Sequence, residues 1–272
     1  MTYLRAYYAA SAADFLKSAP ATVLGELVTH HSFAVDLAQR TSWQSQIDHL
    51  HEVARALPDS FLFLEFAIPR MGKRADAVIV ADGNIFVIEY KVGADAYQAH
   101  ALDQVLDYAL DLKNFHAGSH TRIVVPILVA TRAVDCEVQI YKWSDGLVSP
   151  VCTNREALVA TMRTVMEHLP RSHLNAEEWA ASPYRPTPTI VEAAQALYRG
   201  HDVEEISRSE AGADNLSRTA AYVSKVIDEA KRKDAKAICF VTGVPGSGKT
   251  LAGLNIANGY LKGSQNEHAV FL

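Results

Sequence analysis

The apolar positions of the chain recur with two different periods, which predicts helices and strands in alternation. Spacings of three and four residues are typical of amphipathic helices, whereas continuous or alternating apolar runs between turn residues are typical of strands. Helices are predicted over residues 18–29, 41–57, 94–115 and 155–169, and strands over residues 61–68, 75–80, 85–92, 123–131 and 138–143. Two polar helices, 190–199 and 216–233, then precede short strands over 237–241 and 269–272. The first part of the chain is therefore predicted to be an α/β domain.

A few residues refine the boundaries of these elements. Thr41 and Gln44 have capping-box spacing, which predicts that the second helix begins at Thr41. Asn154 is a favourable capping residue for the helix that follows it. Pro126 lacks an N–H donor and therefore favours an edge position or a bulge for its strand.

The dipeptide Asp82-Gly83, between two apolar runs, is typical of a tight β-hairpin turn. A two-residue turn at this point places Asp76 opposite Glu89. Directly opposed carboxylates point to one side of the sheet with Cβ atoms roughly 5 Å apart, and they repel each other. Lys91 follows Glu89 by two positions, so the pleat places its ammonium on the same side. The hairpin thus predicts two carboxylates and one ammonium at one point, an arrangement that is costly as pure structure but natural around a divalent cation.

Composition and charge exclude several classes of protein. With 272 residues, 49% of them apolar, the chain can form one large or two ordinary domains. The three cysteines share no metal-binding or redox spacing, which is typical of a reducing compartment. Apolar runs are too short for a membrane span, and a signal peptide is not indicated, so a cytoplasmic protein is expected. The net charge of −5 gives no general basic field, so nucleic-acid contacts must be local, with Arg70, Lys73 and Arg74 as the best cluster.

The most specific motif is GVPGSGKT, residues 243–250, which matches the phosphate-binding pattern G-x-x-x-x-G-K-[ST] between a predicted strand and a predicted helix. Glycines let backbone N–H groups surround a phosphate, the lysine reaches the β- and γ-phosphates, and the final hydroxyl can hold Mg²⁺. The predicted ATP-binding residues are Gly243, Gly246, Ser247, Gly248, Lys249 and Thr250. Because the sequence ends soon afterwards, we expect a chain truncated within its ATPase domain that does not hydrolyse ATP on its own.

The residues Asp76 and Glu89-Tyr90-Lys91 resemble the (P)D…(D/E)-x-K signature of the PD-(D/E)XK nuclease superfamily, over roughly residues 40–145. The RecB-like branch of that family carries Q-x-x-x-Y on the next helix, and Gln104 and Tyr108 have this spacing. The sequence departs from the pattern at Ala75, where the family often has proline.

The resemblance implies a role for each matching residue. Asp76 and Glu89 would bind Mg²⁺ or Mn²⁺, with the backbone carbonyl of Tyr90 as a further ligand. Lys91 would position or deprotonate the attacking water and stabilise charge at the phosphate. The helix residues Gln104 and Tyr108 would orient the DNA or the site. The roles of two other acidic residues stay open. The sequence leaves ambiguous which side of the sheet Glu65 faces, and Glu52 is more distant.

The segments IEYKVG, LDQVLDYALDLKNFH and FVTGVPGSGKTLAGLNIA together look like the bacterial family that fuses a RecB-like nuclease domain to a Schlafen-group, helicase-like ATPase. The implied fold is α/β, with a restriction-endonuclease-like mixed sheet flanked by helices in residues 1–180, a helical linker in 181–234 and the start of a RecA-like P-loop domain in 235–272. The implied function is Mg²⁺-dependent DNA cleavage coupled to an ATP-driven helicase or translocase, and by analogy alone defence against foreign DNA.

Two other functions remain open at this point. The first domain could be a catalytically silent nucleic-acid-binding domain that regulates the ATPase, in which case it need bind no Mg²⁺ at the hairpin. Alternatively, the chain could belong to a P-loop kinase or signalling ATPase with an interaction domain in front. The strandedness of the nucleic acid, the choice between DNA and RNA, endonuclease or exonuclease action and the oligomeric state are equally open.

Overall fold

The structure, a computed structural model, describes residues 5–31, 36–69, 72–184, 210–243 and 249–263, with the backbone alone for 210–216, 251 and 258–263. The chain divides into two compact units, Met1–Tyr184 and Arg185–Leu272. Several sequence predictions fall outside the described residues, namely the helix over 190–199, the strand over 269–272, Arg70, Gly246, Ser247 and Gly248.

A six-stranded mixed sheet forms the centre of the first unit. Its strands lie side by side in chain order: β1 (Tyr8–Ser11), β2 (Phe61–Ile68), β3 (Lys73–Ala81), β4 (Asn84–Lys91), β5 (Val124–Ala130) and β6 (Val151–Thr153). Neighbours among the first four strands are antiparallel, whereas β5 runs parallel to β4 and β6 parallel to β5. Parallel neighbours need a crossover connection, which a helix supplies between β4 and β5.

Helices cover both faces of this sheet. They are α1 (Ala12–Lys17), α2 (Pro20–His30), α3 (Leu37–Ala56), α4 (Ala99–Phe115), α5 (Leu158–Glu167) and α6 (Ala176–Ala181), with a 3₁₀ turn at Ala117–Ser119. Apolar residues of α1, α2, α3 and α5 pack on one face, and those of α4 and α6 pack on the other. The predicted mixed sheet with flanking helices is confirmed. None of the helices described has both the length and the apolar character that crossing a bilayer requires.

The β3–β4 hairpin has the predicted turn and register. Asp82 and Gly83 have φ angles of 49° and 75°, so both central turn residues are left-handed, as a type I′ turn requires. The strands pair from Ala81 with Asn84 to Ala77 with Ile88, which is the register that a two-residue turn predicts. Ser172 also donates its backbone N–H to the Asp82 carbonyl at 3.0 Å, which packs a later segment of the chain against the turn.

The predicted start of the second helix is wrong. The helix begins at Leu37, because the Asp36 carboxylate accepts a hydrogen bond from the Gln39 N–H at 2.7 Å and acts as the N-cap. Thr41 therefore lies within the helix, where its hydroxyl donates to the Leu37 carbonyl at 2.8 Å. The Asp36 cap, five residues before Thr41, overrides the capping-box spacing.

Two predictions about this side of the sheet are also wrong, namely an edge position for Pro126 and a strand over residues 138–143. The strand that contains Pro126 lies between β4 and β6 and is not an edge strand. It tolerates the proline because β6 pairs only with residues 127–129, so the missing N–H disrupts no ladder bond on that side. Residues 138–143 form no strand, since within them only Lys142 makes an isolated bridge, to Val148.

The second unit is described in two helices, α7 (Glu210–Arg232) and α8 (Lys249–Gly263). The first agrees with the predicted helix over 216–233 and begins earlier. The strand predicted over 237–241 is wrong, because this segment has no ladder partner among the described residues and exposes Ile238 and Phe240. An apolar run pairs as a strand only where a neighbouring strand supplies hydrogen bonds.

A buried histidine joins α4 to α6. His116 is fully buried, its Nδ1 lies 2.9 Å from the Ser119 hydroxyl, and its ring contacts Trp179 edge-on with centroids 4.9 Å apart. The Trp179 indole donates to the same hydroxyl at 3.0 Å. The His116 Nε2 is buried with no hydrogen-bond partner among the described residues. Burial, followed by the nearby Arg5 charge, lowers the pKa of His116 to about 4.

This low pKa predicts that the fold loses stability in mild acid. The unfolded chain binds a proton to His116 below about pH 6.5, whereas the folded chain resists protonation until about pH 4. The contribution of neutral His116 to the free energy of unfolding is therefore complete above about pH 6.5. It is lost as the pH falls toward 4, and the free energy of unfolding decreases by about 3 kcal/mol. Urea unfolding of the wild type and of His116→Asn at several pH values measures it. The free energy by which the wild type is more stable than His116→Asn must decrease as the pH is lowered. A difference that stays constant with pH would contradict the prediction.

Candidate active site

Asp76 lies where the β3–β4 ladder ends. The last paired residues are Ala77 and Ile88, one step before Asp76 and Glu89 come opposite each other in the same register. Instead of continuing the backbone ladder, the Asp76 Oδ2 accepts the Tyr90 backbone N–H at 2.7 Å. The Asp76 side chain thus replaces a backbone partner for Tyr90, and the β3–β4 ladder ends beside the Asp76 and Glu89 carboxylates.

Glu89 is buried, with 5% of its surface exposed, and its two oxygens have different surroundings. Oε1 accepts hydrogen bonds from Lys91 Nζ at 2.9 Å and from Gln104 Nε2 at 2.8 Å. Oε2 is buried and has no hydrogen-bond partner within the described part of the chain. An unpartnered buried carboxylate oxygen is costly, so this atom is a natural ligand for a cation.

The helix α4 brings the two residues of its Q-x-x-x-Y spacing to the same point. Gln104 Nε2 donates to the Tyr108 hydroxyl at 2.7 Å, and Gln104 Oε1 accepts from Lys91 Nζ at 3.0 Å. Residues four apart share a helix face, and this face packs on the strand that carries Glu89. The structure therefore joins Glu89, Lys91, Gln104 and Tyr108 in one hydrogen-bond network, beside Asp76.

Negative charge is in excess at this point. Burial and the neighbouring Glu89 raise the pKa of Asp76 well above its usual range. Burial also raises the pKa of Glu89, although its hydrogen bond and ion pair with Lys91 oppose the shift. Burial raises the pKa of Tyr108 to about 12, so its hydroxyl keeps its proton. Carboxylates that are hard to ionise in one place are typical of sites that function with bound positive charge.

The donor set fits a divalent cation with two side-chain ligands. Mg²⁺ and Mn²⁺ prefer oxygen, and Mg²⁺ is typically bound through one or two carboxylates while it keeps several waters. Asp76 and the unpartnered Oε2 of Glu89 supply such oxygens. In the described residues, no group of three or more His, Cys, Asp or Glu side chains is arranged to hold a metal ion. A backbone carbonyl, as predicted for Tyr90, and water would complete the coordination.

Glu65 is the acid whose facing the sequence left open, and the structure gives it an unusual backbone. Its φ angle is 54°, a left-handed conformation that is uncommon for a residue other than glycine. The β2–β3 pairing skips Glu65 and Asp76, although the register on both sides brings them opposite each other. The Trp43 indole donates to Glu65 Oε1 at 2.6 Å. Sequence reasoning did not find Trp43, because its partner lies 22 residues away and neither residue has a motif.

The other charged candidates do not take part in the hydrogen-bond network around Glu89. Glu52 is half-exposed and forms an ion pair with Arg155 at 3.6 Å, so it does not join the site. Arg74 lies in β3, where its guanidinium donates to the Glu65 carbonyl and lies 3.8 Å from the centroid of the Tyr7 ring. Lys73 is exposed at the start of β3.

The described part of the phosphate-binding motif lies at the start of α8. Lys249 is the first residue of this helix and Thr250 follows it. The Lys249 ammonium donates to the Gly243 carbonyl at 2.7 Å, across the loop. A lysine and a hydroxyl at a helix N-terminus, after a glycine, are the arrangement that binds nucleotide phosphates.

Comparison with known proteins bears on this C-terminal segment. Residues 236–272 match the family model described as Schlafen group 3, DNA/RNA helicase domain. No match was found among curated proteins or among solved structures. The matched residues include Gly243, Lys249 and Thr250, so the C-terminal segment is similar to part of a Schlafen-type helicase domain.

Proposed function

We propose that the chain is a divalent-cation-dependent DNA nuclease joined to an ATP-driven helicase or translocase domain. The observation that carries the proposal is the network of Glu89, Lys91, Gln104 and Tyr108 beside Asp76. Five residues chosen from the sequence alone lie together, and they include the Glu89 Oε2, which has no hydrogen-bond partner in the described part of the chain. A merely structural cluster would be expected to satisfy that oxygen.

Each residue has a distinct task in phosphodiester hydrolysis. Asp76 and Glu89 would hold Mg²⁺ or Mn²⁺, which when bound polarises the phosphodiester and promotes ionisation of water. Lys91 uses two of its three N–H bonds on Glu89 and Gln104 within the described residues, which leaves one for the attacking water or a phosphate oxygen. Gln104 fixes Lys91 and Glu89 relative to each other, and Tyr108 fixes Gln104.

The C-terminal segment supports the second half of the proposal. Its match to a Schlafen-group helicase domain indicates a nucleic-acid-related ATPase function. Lys249 and Thr250 would bind the phosphates and Mg²⁺ of ATP, together with backbone N–H groups of the loop that holds Gly246, Ser247 and Gly248. The nuclease-like site and the ATP-binding site would then act together, with ATP use coupled to DNA cleavage in a role such as defence against foreign DNA.

Cleavage assays test the proposal directly. The chain is incubated with linear, circular and single-stranded DNA in the presence of Mg²⁺ or Mn²⁺, with and without ATP, beside Lys91→Met, which keeps the apolar stem but removes the charge. We expect cleavage by the wild type and a loss of at least about 100-fold in the variant, since one charged group at the transferred phosphate contributes several kcal/mol. Equal cleavage by both proteins would exclude the hairpin as the catalytic centre.

A catalytically silent nucleic-acid-binding domain that regulates the ATPase is the second candidate. It is favoured by one observation: within the described residues, no three acidic, histidine or cysteine side chains gather as ligands of one metal. DNA binding without cleavage under every cation tested, and without calorimetric cation binding at the hairpin, would select this candidate.

A further inference from the structure

We infer that Glu65, held by the Trp43 indole, is a third carboxylate of the cation site and binds the hydrated cation through water. The inference rests on the proposed function and deepens it, because it assigns a role to two residues outside the nuclease-like motifs. Trp43 is then a positioning residue, which acts on the site only through Glu65.

The backbone turns the Glu65 side chain toward Trp43, at the position where the register of β2 and β3 brings Glu65 opposite Asp76. Phe63 and Phe66 both contact the α4 side of the sheet, whereas regular alternation would put residues three apart on opposite sides. The left-handed φ of Glu65 absorbs the change and directs its side chain to the α3 side, where Trp43 lies. Such a conformation costs about 1–2 kcal/mol outside glycine, so it is typically retained where a side chain must point in one direction.

Burial and charge link Glu65 to the two predicted ligands. Glu65 is 9% exposed, and its burial is the main cause that raises its pKa, with a smaller contribution from the Glu89 charge. Burial and Glu89 likewise raise the pKa of Asp76, and the Glu65 charge adds to them. Three carboxylates therefore interact across the neighbouring strands β2, β3 and β4. The Oε2 of Glu89 is a buried carboxylate oxygen without a partner among the described residues, which marks where positive charge is missing.

Water must mediate the contact. Among the described residues, no three His, Cys, Asp or Glu side chains are arranged to ligate one ion directly. A divalent cation such as Mg²⁺ keeps several waters, and a carboxylate in the next layer accepts hydrogen bonds from them. Trp43 occupies Glu65 Oε1, which fixes the orientation of the other oxygen. Substitution of such outer carboxylates typically weakens metal binding by about 10–100-fold.

Calorimetric titration of the nucleotide-free chain with Mn²⁺ tests the inference without an activity measurement. Asp76→Asn identifies the heat that belongs to this site. Glu65→Gln keeps an oxygen for the Trp43 indole but removes the charge, and we expect it to weaken Mn²⁺ binding about tenfold. Trp43→Phe removes the indole donor alone and is expected to weaken binding to a smaller extent. Glu52→Gln is the matched control, because Glu52 is half-exposed and paired with Arg155.

The outcomes separate this inference from the proposed function. Mn²⁺ binding that depends on Asp76 but is equal in wild type and Glu65→Gln would overturn the inference and leave the nuclease proposal intact. Absence of Asp76-dependent binding in the wild type would overturn both. Thermal unfolding checks that each variant is folded, and the Glu65→Gln titration alone decides the outcome if Trp43→Phe does not fold.

Discussion

Replacement of Asp76 by asparagine is expected to abolish DNA cleavage and at the same time to stabilise the protein. Asparagine keeps an oxygen for the Tyr90 N–H but removes one charge from a site where burial and Glu89 already disfavour ionisation. We expect cleavage to fall by about 1000-fold, since a lost ligand removes the cation from the reaction. The free energy of unfolding, measured with urea in the presence of a chelator, is expected to rise by about 1 kcal/mol or more.

The stability gain must depend on pH. A carboxyl group with a raised folded pKa contributes stability at low pH, where it is protonated, and this contribution is lost as the pH rises through the folded pKa. At neutral pH the folded wild type must hold a buried charge or bind a proton, and asparagine does neither. The gain in Asp76→Asn should therefore be large at neutral pH and disappear near pH ~4, the value for an unperturbed carboxyl group.

Asp103 provides the matched control for both measurements. It is exposed on α4, next to Gln104, so Asp103→Asn removes the same charge without touching the network. Cleavage and stability should both stay close to those of the wild type. If Asp76→Asn still cleaves DNA, or if it is less stable than Asp103→Asn at neutral pH, the site is not a strained acidic centre.

The hairpin and the helix α4 could be predicted because their signals are local, although the helix begins at Ala99 and not at residue 94. The Asp82-Gly83 turn fixes the register, and the register alone brings Asp76 opposite Glu89. Likewise, the spacing of four residues fixes which face of α4 carries Gln104 and Tyr108. These parts of the candidate site need no knowledge of distant residues, so the sequence is sufficient for them.

Other features depend on contacts that no local pattern encodes. The bond from Trp43 to Glu65 joins a helix to a strand, and the left-handed backbone at Glu65 breaks the alternation from which facing is inferred. The strand predicted over 138–143 failed for the same reason: an alternating run becomes a strand only if a partner pairs with it, and β6 takes that place. Local sequence patterns thus predicted the helices and strands better than the contacts between them.

Substitution of Gly83 by alanine is expected to destabilise the first unit by about 3 kcal/mol. The residue has a φ angle of 75°, where any other residue is strained by about 1 kcal/mol. A Cβ atom would in addition collide with the side chain and backbone of Ser172, which packs on the turn. Backbone cannot move aside as a flexible side chain can, so the collision adds to the strain. Urea unfolding monitored by circular dichroism measures the loss.

Gly93→Ala separates the two contributions in this prediction. Gly93 has a φ angle of 83° but nothing within 4 Å of an added Cβ, so it reports the backbone strain alone. We expect it to lose about 1 kcal/mol. The excess loss in Gly83→Ala then measures the collision with Ser172. Equal losses of unfolding free energy in Gly83→Ala and Gly93→Ala would show that Ser172 does not support the turn. Because the Asp82-Gly83 turn sets the register that opposes Asp76 and Glu89, Gly83→Ala should also weaken Mn²⁺ binding at the hairpin.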